Sequence, residues 1–88
     1  MVVMEIKMQI PKYDPEERIQ FNWENGFVIE VNVDNGMTLI RANKEGLLSL
    51  ANHLINLAQN EKPSTFHLHF DDSNSLEPGS SELIIQKI

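Results

Sequence analysis

No cysteine occurs in these 88 residues, which excludes disulfides, thiolate metal centres and a cysteine nucleophile, and suits a reducing compartment. Glycine is also sparse: the four present, at positions 26, 36, 46 and 79, are isolated, each beside a turn or helix start, so no glycine-rich phosphate loop can form. Cations are few, with seven Lys and Arg against thirteen Asp and Glu, for a net charge of −6. Phosphate neutralisation needs clustered cations, so nucleic acid is not expected as a direct partner, whereas a basic macromolecule is. Such acidity also serves solubility. No apolar run approaches membrane-spanning length, and residues 1–10 alternate instead of forming the continuous apolar stretch of a secretory leader. A soluble, cytoplasmic protein is therefore expected, folded as one domain over residues 1–88 with a single modest core.

What is present is led by residues 43–60, the only stretch with sustained helical periodicity. At about 100° per residue, Leu47, Leu48, Leu50, Ala51, Leu54, Ile55, Leu57 and Ala58 share one side. Glu45, Ser49, Asn52, His53, Asn56, Gln59 and Asn60 share the other. The expectation is an amphipathic helix with its leucine side on the core, N-capped by Asn43, with Glu45 in the first turn and Pro63 beyond the end.

Around it lie strand patterns. Val2, Met4, Ile6, Met8 and Ile10 alternate with Val3, Glu5, Lys7 and Gln9, a first strand that stops at Pro11. Residues 11–17, with two prolines and three acids, form a surface connection. Two punctuations, Glu24-Asn25-Gly26 and Asp34-Asn35-Gly36, then divide three runs. A three-residue loop at each, with a G1 bulge at Gly26, sets Trp23 opposite Phe27, Phe21 opposite Ile29, Ile19 opposite Val31, Val33 opposite Met37 and Val31 opposite Leu39. That register makes every pair apolar and yields a meander. After the helix, residues 65–70 alternate with Phe66, Leu68 and Phe70 inward, and His67 and His69 outward. Residues 71–81 are turn formers and acids, and 82–88 form a last strand whose Leu83-Ile84-Ile85 run suggests cover on both faces.

The order reads ββββαββ, an α+β fold in which one helix lies on one face of a mainly antiparallel sheet. Six strands about 4.8 Å apart span on the order of 29 Å, and one helix with its side chains covers about 10 Å. An apolar stripe is left over, to be closed by strong coiling of the sheet, by the N-terminal strand folding over, or by a second copy, and a homodimer is the expectation.

Chemistry is thinly represented. His67, His69 and Asp71 recur at every second residue, so one strand face can carry all three. Two imidazoles and a carboxylate could hold zinc or another divalent ion. Alternating polar residues on a solvated strand face are the plainer explanation, and His53, on the helix, is not expected to join them. The serines fall in turns or on the helix's polar side, and no nucleophile, base and oxyanion donor can be placed together, so neither an enzyme nor a cofactor is expected. Trp23 reads as core. Tyr13, in the acidic connection, is either an exposed anchor for a partner or a ring lying over the sheet edge.

The stretch NKEGLLSLANHLINLAQ at 43–59, HLHFDD at 67–72 and LEPGSSELIIQK at 76–87 together resemble the immunity protein 32 family of bacterial polymorphic-toxin systems. The likeness covers the C-terminal half and none of the N-terminal strands. It implies a small cytoplasmic protein that neutralises a cognate toxin by binding it, without catalysis. Toxins that attack nucleic acids are basic, so acidic segments are the natural contact surfaces: Tyr13, Asp14, Glu16 and Glu17 in one, Asp71, Asp72 and Glu77 in the other.

Overall fold

The computed structural model describes residues 1–16, 20–59, 62–63 and 65–88. Its elements run β1 (Ile29–Asp34), β2 (Met37–Ala42), α1 (Lys44–Leu57), β3 (His67–Phe70) and β4 (Leu83–Gln86). The class is α+β with antiparallel pairing throughout: β1 pairs with β2 and β3 with β4. The order among the described residues is thus ββαββ. Residues 2–10 and 20–24 form neither helix nor strand and join no ladder, and Ile19 lies outside the described residues. The wide six-stranded sheet that called for a second chain is replaced by two narrow hairpins.

Local chemistry sets the β1–β2 register. Asn35 and Gly36 both adopt left-handed φ, 49° and 76°, the signature of a two-residue type I′ loop. Asp34 therefore faces Met37 and Val31 faces Ile40, one residue away from the expected register. Side-chain direction alternates with every residue, so Leu39 loses its place beside Val31. At the other punctuation, Gly26 has a positive φ of 81° and the Phe27 N–H donates to the Glu24 carbonyl at 3.2 Å. Trp23 and Phe27 do come together there, their rings stacked 4.4 Å apart, without a strand ladder beyond them.

Hairpin and helix meet at Gly46. A Cβ at this position would lie 3.0 Å from Ile29 Cγ1 and would overlap the Val28 carbonyl oxygen, so only glycine permits this approach. Asn43 anchors the same corner: its Oδ1 accepts from the N–H groups of Gly46 and Val28 at 2.8 and 3.0 Å, and its Nδ2 donates to the Gly26 carbonyl. One N-cap thus fixes both the helix start and the preceding turn. The core comprises Ile29, Val31, Leu57, Leu68, Phe70 and Leu76, with Phe27, Ala42, Leu50, Phe66, Leu83 and Ile85 packed against it.

The largest departure from the sequence reading is the roll of α1. Its buried residues are Gly46, Ser49, Asn52, His53, Asn56 and Leu57, while Leu47, Leu54 and Ile55 are 58%, 46% and 49% exposed. The amide-bearing side faces inward. The irregular N-terminal half supplies the reason, because an extended segment outside a ladder still needs partners for its backbone groups. Ser49 Oγ accepts from the Glu24 N–H, Asn52 Nδ2 donates to the Gln9 carbonyl, and Asn56 Nδ2 donates to the Gln20 carbonyl. Gln59 donates to the Pro11 carbonyl and accepts from the Tyr13 N–H. Three side chains on one helical stripe, with Gln59 just past the helix end, give parts of residues 9–24 the partners that a neighbouring strand gives elsewhere.

Ile84 is a smaller correction. It is exposed, and only Leu83 and Ile85 pack on the core, so β4 is covered on one face.

Candidate functional site

The β3 strand alternates as its sequence dictates. Leu68 and Phe70 are buried while His67 and His69 are exposed. Immediately after it, the chain coils into a loop tied by its own side chains. The Asp71 carbonyl accepts from the N–H groups of Asn74, Ser75 and Leu76 at 2.9–3.3 Å. Asn74 Oδ1 accepts from the Asp71 N–H and its Nδ2 donates to the His69 carbonyl, each at 3.0 Å. Leu76 is driven into the core, and the return path is fastened to β1: the Glu77 N–H donates to the Ile29 carbonyl at 2.9 Å and the Ser81 N–H to the Val31 carbonyl at 2.7 Å. An acidic loop so constrained presents its carboxylates in a fixed arrangement, which lowers the ordering cost of any contact.

One end of this loop carries a convergent cluster. His69 Nε2 lies 3.7 Å from Asp71 Oδ2 and 3.7 Å from Glu82 Oε2. The three groups can bring one donor atom each within 4.8 Å of the others. Asp71 is steered into position by Ser73, whose N–H and hydroxyl both donate to Oδ1 and leave Oδ2 toward the histidine. Those two bonds, the hydroxyl's first, hold the Asp71 carboxyl below its ordinary pKa. His67 is not in this group; Glu82 takes that place. The β3–β4 register brings Glu82 there: continuing the Phe70–Leu83 pairing by one residue sets it opposite Asp71.

Beside the cluster is a groove of about 360 Å³ lined by Phe21, Trp23, His67, Leu68, His69, Phe70, Asn74 and Ser75. Beneath it is His53, fully buried. Its ring lies 4.2 Å from Trp23, 5.0 Å from Phe21 and 6.1 Å from Phe70, and neither nitrogen has a hydrogen-bond partner among the described residues. Desolvation lowers its pKa from 6.5 to about 4, so the imidazole is neutral at physiological pH. An aromatic floor with carboxylates at its edge suits a cationic side chain: the charge can rest on a ring face while its N–H groups reach the acids. The alternating pattern places Phe21 and Trp23 in the core; as they join no ladder, both keep more than a third of their surface in solvent.

The other acidic segment is differently built. Tyr13 is half-buried, its ring edge-on to Phe66 at 5.8 Å with the Lys62 ammonium 5.0 Å from its centroid. Lys62 is itself buried, and burial first, then the nearby Lys87 charge, lowers its pKa. Asp14 and Glu16 are exposed, with Asp14 Oδ1 accepting from the Glu16 N–H. Glu17 lies outside the described residues. In the second segment Asp72 is exposed and Glu77 partly buried. Among the described residues, no helix is long and apolar enough to cross a membrane.

The family model described as immunity protein 32 matches residues 38–88, which span all but the first residue of β2, then α1, β3, the acidic loop and β4. No curated protein and no solved structure gives a significant match.

Proposed function

Because the chain belongs to the immunity protein 32 family, we propose that it neutralises a bacterial toxin in the cytoplasm by binding it directly, with no catalysis of its own. The observation that carries this reading is the location of the acidic loop. Asp71, Asp72, Glu77 and Glu82 all fall within the matched segment, and the loop's internal hydrogen bonds fix it beside an aromatic groove. The partner is a basic toxin domain, and the net charge of −6 steers it toward the acidic rim. An arginine or lysine of the toxin enters the groove over Phe21 and Trp23 and meets Asp71 and Glu82. Tyr13, Asp14, Glu16 and Glu17 form a second, peripheral contact. Capture on tagged protein followed by mass spectrometry should return a basic toxin domain, and co-expression of this chain should restore growth to cells producing it. Cells that die regardless would contradict the proposal.

One observation favours a second reading. His69, Asp71 and Glu82 offer a nitrogen and two oxygens at spacings from which a divalent cation such as zinc could draw three ligands. Calorimetric titration with zinc separates the two readings: metal uptake abolished by Asp71→Asn supports a cation site, and an absence of heat leaves the cluster to the toxin.

A further inference from the structure

The chain on its own is under-packed. A compact monomer of 10.1 kDa exposes about 5,300 Å² by the mass scaling of folded proteins; this one exposes 6814 Å², an excess of about 1,500 Å². Its radius of gyration, 14.1 Å, likewise exceeds the roughly 12 Å expected for this length. Several of the exposed apolar side chains lie together. Leu47, Leu54 and Ile55 are exposed on the outer side of α1, and Ile6, Met8 and Ile10 of the N-terminal segment line, with Ala51 and Ile55, a cleft of about 370 Å³ between segment and helix.

We propose that this strip is covered by a second copy of the chain, giving a homodimer. Three observations select that occupant over the toxin. The core deficit exists in the free protein, which must fold before any toxin arrives, so its cover has to be present always. The helix carries no Asp, Glu, Lys or Arg from Gly46 to Gln59, so two chains each of charge −6 can meet here without opposing like charges, whereas a basic partner gains nothing from a charge-free surface. Residues 2–10 also have the strict alternation of a strand, yet among the described residues they make no backbone–backbone hydrogen bond. Antiparallel pairing of two such segments about a two-fold axis satisfies both backbones with one self-complementary contact. The surplus surface also exceeds the roughly 800 Å² per partner of a stable interface. The acidic loop and groove then remain available to the toxin on each protomer.

Light scattering on the full chain at micromolar concentration should give twice 10.1 kDa. Leu54→Lys should shift it to the monomer mass, while Ile84→Lys, at an exposed apolar position outside the strip, should remain dimeric. Ile6→Lys tests the same surface from a residue outside the core, in case Leu54→Lys does not fold. Amides of residues 2–8 should be protected from hydrogen exchange in the dimer. A monomeric wild type overturns the proposal. So does a dimer that persists in both strip variants, or a strip whose variants keep their mass and lose only the toxin.

Discussion

Replacing His53 with leucine isolates the least comfortable group in the fold. Its imidazole is buried among three neutral rings, those of Phe21, Trp23 and Phe70, and its pKa lies at about 4 against an ordinary 6.5. Above pH 6.5 neither folded nor unfolded chain is protonated there. Between 6.5 and 4 the unfolded chain takes up a proton that the folded one refuses, so stability falls as pH falls; below 4 both are protonated and the loss stops. The linkage amounts to up to about 3 kcal/mol across that window. Urea unfolding from pH 7.5 to 4 should show this decline in the wild type and a correspondingly flatter profile in His53→Leu. At pH 7.5 the variant should equal or exceed the wild type, because leucine has roughly the same bulk and no unpaired polar atoms. Identical pH profiles, or an NMR titration placing His53 near 6.5, would refute the burial on which the helix orientation rests.

Other substitutions probe the rest of the account. Asn56→Ala should cost about 1–3 kcal/mol in urea unfolding because it strips the Gln20 carbonyl of its donor, whereas an amide on a solvated face would cost at most about 0.5 kcal/mol. Gly46→Ala should destabilise by about 1–3 kcal/mol through the clash with Val28 and Ile29, measurable as a lowered denaturation midpoint. The association rate with the toxin should drop markedly between low and physiological salt in stopped-flow measurements, and a salt-independent rate would remove the steering argument.

Much of this architecture can be read from the residues themselves. Asn43 as N-cap and the inward Leu68 and Phe70 each follow from a local rule with one solution, and apolar pairing across Glu24-Asn25-Gly26 brings Trp23 to Phe27. The roll of α1 does not, because a periodic pattern fixes which residues share a side and leaves open which side is buried. The polar side chains misled: Ser49, Asn52, Asn56 and Gln59 read as a wet face, although wet helical faces ordinarily carry several Lys and Glu and this one has a single acid, Glu45 in the first turn. Their true partners are backbone groups of residues 9–24, which no pattern connects to the helix. The β1–β2 register failed by one residue because apolar pairing was weighed above the left-handed preference of Asn35-Gly36. At the site, His69 and Asp71 were legible from their spacing. Glu82 was not, since its approach depends on how the loop 71–81 folds back.

The most direct test of toxin recognition is calorimetric binding of the purified toxin domain to the wild type and to the Asp71→Asn, Glu82→Gln double variant, which retains the shape of the rim and removes its charge. Binding should weaken by about ten-fold or more with an unchanged unfolding midpoint at neutral pH. Wild-type affinity in the double variant would contradict it.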